Sequence, residues 1–507
     1  MVGLDSLDDE WFTYDSTSHR IEIIQSGDIL KDTTQAWEDS PNVTNGNAGA
    51  TFHVWKYFYD KIAMPIKNKL DTTIINNGDT LKNVIRYIVL CKGIPFRLQA
   101  RYDWSGINNL PPHHNVSLQS LLSILGNDDY YDLLLDLFNG VENYNNPYYA
   151  VDYNLTMNFR FLPNYFKNNY GIYLSYLVTR LDGLSYSNTI QMIENALNAD
   201  KSGQRTWILD DDPGAIGPST TIRDKLTNLD FEVYYDGTSN FITENSIFND
   251  AVIAYSSPGT HADSDPPADY IQSLLEFFYA PGAVFNTFES FNGNCFGELK
   301  RREGAEMGQL TEFIKMGGTG GVCYPWEPGG FNGNIVYGTY FFPLYAVGYN
   351  LVDAVFMDMP NILFQNVVVG DPLTTIAWGK QTIKQNTEMA GVNLVTDTIS
   401  VQVGDTLFIE SNASINMKIN GFITGSGTLI FDDNASLYSS DWQSSLLLAS
   451  ENNHPKLVWS TNPGMSPVDY YKVFRKVGIG SWKQVDSTTS NQFLDTSLVF
   501  VNPNGGL

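Results

Sequence analysis

Ala251-Val252-Ile253-Ala254-Tyr255-Ser256-Ser257-Pro258-Gly259-Thr260-His261 is a short apolar run that stops in small and polar residues. Ala283-Val284-Phe285-Asn286-Thr287-Phe288 repeats the pattern and ends in Glu289-Ser290-Phe291-Asn292-Gly293-Asn294-Cys295. Gly320-Gly321-Val322-Cys323 ends in Tyr324-Pro325-Trp326-Glu327-Pro328. Continuous apolar runs of this length read as strands buried on both faces. Open α/β sheets place their ligands just past the carboxyl ends of such strands. The residues after 255, 288 and 323 are therefore where chemistry is sought first.

Outward from this stretch the same grammar continues. Val84 to Leu90 reads as a buried strand, Asp182 to Asp200 as a helix with Ile190, Ile193 and Leu197 on its apolar face and Ser187 as N-cap. Thr206 to Leu209 and Phe231 to Tyr235 read as strands on either side of an amphipathic helix, Thr221 to Leu229. Residues 269 to 278 and 306 to 316 supply two more helices. Strands alternating with helices imply βαβ units. The fold class expected is α/β, a largely parallel sheet flanked by helices, followed by C-terminal all-β modules. The α/β domain spans 1–378, with 106–170, rich in Asn, Tyr and Pro, as an insertion or cap over the sheet edge.

After Trp378 helical periodicity gives way to a repeat. Thr406-Leu407-Phe408-Ile409-Glu410-Ser411-Asn412-Ala413-Ser414-Ile415 matches Thr428-Leu429-Ile430-Phe431-Asp432-Asp433-Asn434-Ala435-Ser436-Leu437 at an offset of 22 residues. That period suits two β-solenoid rungs, so 379–450 is expected to be a solenoid-like module. In 455–507, Leu457-Val458-Trp459 and Tyr471-Lys472-Val473-Phe474-Arg475 look like the opening strands of a fibronectin type III sandwich. The closing strands are missing after Phe500, and an unpaired sandwich edge is a liability. A fragment of a longer chain is expected, with the signal for secretion outside it.

Composition bounds the function. The 507 residues carry 56 acidic and 30 basic side chains, a net charge of −26, with 43% hydrophobic and 13% aromatic residues. There is ample material for a core. Nucleic acid and anionic membranes, which need a basic footprint, are excluded as partners. No apolar stretch of about 18 residues occurs, so no membrane span is expected. Three cysteines, Cys91, Cys295 and Cys323, are too few and too scattered for a disulfide framework or a zinc site. Many Asn, Thr, Ser, Tyr and Gly with few Lys point to an extracellular or cell-surface bacterial protein, meeting an extracellular protein or a surface polymer.

Five further motifs carry a resemblance: Tyr87-Ile88-Val89-Leu90-Cys91-Lys92-Gly93-Ile94-Pro95, Leu177-Val178-Thr179-Arg180-Leu181-Asp182-Gly183, Pro281-Gly282-Ala283-Val284, Tyr324 to Pro328, and Val369-Gly370-Asp371-Pro372-Leu373. In their order the chain resembles gingipain-type cysteine peptidases of the caspase-like superfamily, and a bacterial family of secreted proteins built on that plan. The resemblance implies a His in a Tyr-x-Gly-His-Gly stretch and a nucleophilic Cys three residues before a Gly. Here those positions hold Pro258 and Ser290. His261 and Cys295 lie three and five residues further on, so a displaced dyad requires rebuilt loops. A thiolate also needs an adjacent base or cation. Spacing favours His261 as a surface residue and Cys295 as a partly buried one. The chain then reads as a degenerate, non-catalytic caspase-like protein acting in binding, adhesion or extracellular assembly. The alternative is a cysteine peptidase using His261 and Cys295.

Ser290 lacks a Gly-x-Ser-x-Gly elbow and reads as a turn or helix cap. Cys91 and Cys323 read as small buried hydrophobes, and His113-His114 as solvated. Ser257, Glu289 and Glu327 are expected on the cleft rim. Asp210-Asp211-Asp212 follows a strand and, with the rim glutamates, could offer oxygens to Ca²⁺, although Asp before Pro213-Gly214 equally suits a turn. Gly317-Gly318 and Gly320-Gly321 lack the Lys of a phosphate loop.

Overall fold

The computed structural model describes residues 29–30, 55–56, 58–75, 78–92, 94, 97–99, 115–138, 144–151, 161, 166–212, 217–218, 220–243, 251–259, 269–289, 292–293, 310–325, 335–418, 421–432, 434–438, 446–452, 454–459, 471–475 and 483–498. The chain divides into two compact units. The first comprises 1–199, 205–344 and 350–374, and the second 200–204, 345–349 and 375–507.

The first unit is built on eight strands: β1 Tyr87–Cys91, β2 Leu177–Leu181, β3 Thr206–Asp210, β4 Val233–Asp236, β5 Val252–Ser257, β6 Tyr279–Thr287, β7 Gly320–Cys323 and β8 Val367–Val369. Their order across the sheet is β4-β3-β5-β6-β7-β8-β2-β1. Every residue of β3, β5, β7 and β8 is buried, as the apolar runs demand. From β4 to β7 neighbouring strands pair in parallel, β5 meeting β3 through Val252↔Thr206. β8, β2 and β1 are also parallel to one another. The two blocks join through one antiparallel pair, Gly321↔Val369. The carboxyl ends of β3, β5, β6 and β7 therefore share one edge of the sheet, whereas those of β1, β2 and β8 lie at the other.

That far edge explains two sequence motifs. Arg180 is fully buried and donates to Ile94 O, with its Nη2 3.2 Å from Asp182 Oδ2. Lys92 Nζ reaches Asp182 Oδ1 at 3.2 Å and Gly183 O at 2.8 Å. The strand ends after Cys91 and Leu181 are thus tied by one ion cluster, within which burial pulls the Arg180 guanidinium down and Asp182 opposes it. Asp371 is structural: its Oδ1 accepts Leu373 N at 2.8 Å, a turn beside the same edge.

Helices cover the sheet. α1 Leu118–Ser123, α2 Tyr186–Leu197, α3 Thr220–Asn228, α4 Leu310–Lys315, α5 Phe341–Ala346 and α6 Leu351–Met357 carry most of this layer. In α2 the N-cap is Ser185, not Ser187: its side chain accepts Asn188 N. The buried face runs through Thr189 and Met192 while Leu197 is exposed, so apolarity misplaced the face. Residues 269 to 278 form only a π-helical turn, Ile271–Leu275, that ends at left-handed Glu276. α1 falls within the stretch expected to be an insertion or cap. It is wholly buried, and its Gln119 carboxamide bonds both Val368 O at 2.8 Å and Val368 N at 2.7 Å. A side chain thereby completes the β8 ladder where β2 contributes only Arg180 opposite Val369. On β6, Phe313 of α4 packs on Tyr279 and Phe285 with ring centroids 4.5 and 5.2 Å apart.

The second unit holds three stacks of three parallel strands. They are Gln381–Ile383, Thr398–Val401 and Phe422–Gly425; Thr387–Met389, Thr406–Ile409 and Thr428–Phe431; and Val392–Val395, Ser414–Met417 and Ser436–Tyr438. The repeat seen in sequence pairs in register, Leu407↔Leu429 and Ile415↔Leu437, but the described residues form three rungs rather than two. The first is hidden in sequence because its turns are shorter, Gln381 pairing with Ile399, Thr387 with Leu407 and Val392 with Ser414, so no single offset relates it to the second. Its corner holds Gly391 (φ 65°) where the later corners hold Asn412 and Asn434 (φ 63° each). Asn is among the few side chains that tolerate this left-handed corner. Ile399, Leu407, Ile409 and Ile415 of the middle rung are fully buried. The third stack continues antiparallel into Leu446–Glu451, His454–Trp459 and Gln492–Leu494. Tyr471–Arg475 and Lys483–Thr488 form a separate antiparallel pair.

The rungs give a graded core and a test of it. Leu407 is 0% exposed and its third-rung counterpart Leu429 is 40% exposed. Leu407→Ala should cost about 2–5 kcal/mol in denaturant unfolding of the full chain, and Leu429→Ala clearly less.

Candidate functional site

β5 ends in a tight local turn. Ser257 Oγ accepts Gly259 N at 3.0 Å, and Ser257 O accepts Phe288 N at 3.1 Å, joining the ends of β5 and β6. Gly259 has φ +66° and no room for a side chain, since an added Cβ would lie 1.3 Å from Glu289 Oε1. Glu289 itself is fully buried, and its Oε1 accepts Tyr270 Oη at 3.1 Å. The Tyr270 ring leans on Phe241, centroids 5.3 Å apart. Burial first, and the Glu289 carboxyl second, push the Tyr270 hydroxyl well above the ordinary tyrosine range. The gap between the ends of β5 and β6 is therefore filled by Glu289, Tyr270 and Ser257.

The next gap, between β6 and β7, is filled by Asn292. Its Nδ2 donates to Thr287 Oγ1 at 2.8 Å and its Oδ1 accepts Tyr324 N at 2.6 Å. Gly293 N donates to Tyr324 O at 3.2 Å, and Gly293 lies directly on Cys323. The Cys323 thiol donates to Val367 O at 3.6 Å and is pushed far up by burial, so it stays protonated and inert.

At the end of β3, Asp210 is 3% exposed and its Oδ2 accepts Ile242 N at 3.0 Å. Burial pushes its carboxyl up to about 8, opposed by the Ile242 amide and reinforced by Asp236, Asp211 and Asp212. Asp211 faces elsewhere, accepting Tyr235 Oη at 2.9 Å and Asp212 N at 3.0 Å. A shallow surface depression lies between Asp210 and Asp211, the Thr238 to Phe241 loop, and Pro258. Among the described residues no group of three or more His, Cys, Asp or Glu is arranged to hold a metal.

Of the residues singled out in sequence, Ser257 and Glu289 come together at adjacent strand ends, with Pro258 between Ser257 and Gly259. The Asp210-Asp211-Asp212 run follows a neighbouring strand but splits its hydrogen bonds among separate partners. His261, Cys295, Ser290, Glu327 and the His113-His114 pair lie outside the described residues. Tyr270 and Asn292 went unread in sequence. No local pattern marks a tyrosine in a helical turn or an asparagine in a loop as the partner of a strand end. No family model, curated protein or solved structure matches the chain. Among the described residues, no helix is long and apolar enough to cross a membrane.

The raised Asp210 gives a pH signature. Its folded value of about 8 lies above the ordinary 3.8, so the folded chain holds a proton that the unfolded chain releases. Stability from this group is full below about 4 and is lost as pH rises toward 8. Thermal melts should show Asp210→Asn losing less stability than the parent chain between pH 5 and 8.

Proposed function

We propose that this is a secreted or cell-surface bacterial protein whose α/β unit is a gingipain-like, caspase-like domain that no longer cleaves peptides and serves binding, adhesion or extracellular assembly. Its C-terminal stacks act as a β-solenoid spacer, with fibronectin type III-like strands beyond them.

The observation that carries this reading is the filled gap between the ends of β5 and β6. A nucleophile and its base must approach within about 2.6–3.2 Å. In the plan the chain resembles, that pair sits at the positions held here by Pro258 and Ser290. Pro258 has no ionisable group. Beside it, Glu289 presses so closely on Gly259 that a single methyl at Gly259 would collide with the carboxylate. A buried, hydrogen-bonded glutamate at such a junction supports packing and positioning rather than turnover. The neighbouring thiol, Cys323, is held protonated beneath Gly293. The strand order also supports the resemblance, because the three strand ends that define it come from three adjacent parallel strands.

A thiol-directed covalent probe at neutral pH, followed by peptide mapping, tests this reading together with a peptide-library cleavage assay. The expected results are no selective labelling of Cys295 and no cleavage. Selective labelling of Cys295 that His261→Ala abolishes would replace this reading with a cysteine peptidase using a displaced dyad.

A further inference from the structure

Residues 55–92 carry seven of the chain's 30 basic side chains but only three of its 56 acidic ones, in a protein of net charge −26. Within this segment a π-helical turn, Tyr59–Ala63, runs on into the helix Met64–Thr72. Ile62, Ala63, Ile66 and Leu70 are its buried face, which leaves Lys61, Asn68 and Lys69 exposed. Ion pairs take up the neighbouring lysines. Lys56 meets Asp60 at 2.8 Å, while Lys67 and Lys82 share Asp71 at 3.5 and 3.6 Å. Lys61 and Lys69 have no acidic partner among the described residues.

Beside this helix lies one of opposite sign. Tyr59 packs on Tyr130 and Tyr131, ring centroids 6.2 and 5.0 Å apart, and Lys67 Nζ donates to Leu125 O at 3.2 Å. The helix Tyr130–Phe138 buries Leu133, Leu134 and Leu137 and exposes Asp132 and Asp136, with exposed Asp128 and Asp129 just before it. Acids at a helix start complement its dipole, which accounts for Asp128, Asp129 and Asp132. Asp136 has no such reason. It sits in the last turn, where a negative charge opposes the dipole, and it repels Asp132 one turn away. No basic residue occupies that turn. Tyr131 and Leu135, also one turn apart, are 38% and 36% exposed alongside these acids.

We propose that this pair of helices is a docking surface for a second copy of the chain, Asp132 and Asp136 of each copy seating on Lys61 and Lys69 of the other, with Tyr131 and Leu135 at the seam. A two-fold dimer needs a patch complementary to itself. A cationic helix beside an anionic one, joined where Tyr59 meets Tyr131, is such a patch. Half a turn about that junction sets each sign over its opposite. Charge also decides the occupant. An acidic partner is repelled by the aspartate half, and a basic partner by the lysine half. What fits carries both signs in reverse order, and a two-fold copy does so by construction. Elsewhere two chains of net charge −26 repel each other, which confines their contact to the place where lysines are in excess. At the seam Tyr131 offers an apolar ring with a polar tip, the kind of side chain that interfaces favour. The dimer does not depend on whether the strand ends bind a partner or cleave one.

Sedimentation velocity on the full chain, over a concentration series, tests the docking surface. The parent chain should pass from monomer to dimer as concentration rises. One variant carries Asp132→Lys with Asp136→Lys, and a second carries Lys61→Glu with Lys69→Glu. Each should raise the dimer Kd about tenfold or more, because like charges then face each other. An equimolar mixture of the two should dimerise again, since every reversed stripe meets its opposite. All four side chains are exposed, and thermal melts check that each variant folds. A parent chain that stays monomeric, a variant that dimerises like the parent, or a mixture that stays monomeric overturns the proposal. If a reversed variant does not fold, Lys61→Gln with Lys69→Gln takes its place, and a dimer as tight as the parent's overturns the proposal equally.

Discussion

Strand β7 has no side chain at the two positions where its neighbours press closest, and the α/β unit depends on this. A Cβ on Gly321 would lie 2.2 Å from Phe285 O of β6, and one on Gly320 would lie 2.4 Å from Val369 O of β8. These glycines let β7 pair in parallel with β6 and antiparallel with β8. The junction joins five strands running one way to three running the other. The direction change gathers the ends of β3, β5, β6 and β7 along one edge and sends the Lys92–Asp182–Arg180 cluster to the opposite one.

Among the described residues of the gathered edge, buried polar groups join the strand ends. Glu289 with Tyr270, Asn292 with Tyr324, and Asn286 with Val336 each bridge strand ends to neighbouring loops. Buried polar groups of this kind must be paired to be tolerated, and once paired they fix one arrangement. The same burial acts on the acids: in a chain of net charge −26, Asp210 and Asp358 are pushed toward neutrality where they lie within the fold. Proton uptake on folding follows from where these two carboxyls sit, not from the overall acid count.

The second unit rests on simpler physics. Ile399, Leu407 and Ile415 of the middle rung are fully buried between Ile423, Leu429 and Leu437 of the third rung and Gln381, Thr387 and Asn393 of the first. Ile423, Phe431 and Leu437 of the third rung are only partly covered. Asn412 and Asn434 recur because the corner between stacked strands demands a left-handed residue.

Much of this was determined by sequence alone. Apolar runs such as Val252 to Tyr255 specify strands buried on both faces, and their alternation with helices specifies a βαβ sheet. The 22-residue match specifies the register of stacked rungs down to Leu407 over Leu429. These are local properties, governed by residue type and period. Tertiary structure alone decided the rest. The reversal of direction at β7 and β8 is a pairing between segments distant in sequence, and no period encodes it. The first rung lay hidden because its turns are shorter, so Gln381, Thr387 and Val392 meet Ile399, Leu407 and Ser414 at unequal offsets that no single period reveals. The helix cap moved from Ser187 to Ser185 because either serine suits the role by type, and only the backbone geometry selects one. Glu289 looked like a rim carboxylate and Asp210 like a cation ligand. Whether each meets water, a tyrosine or a backbone amide is set by what folds over it, and burial is a property that no single segment of the chain possesses.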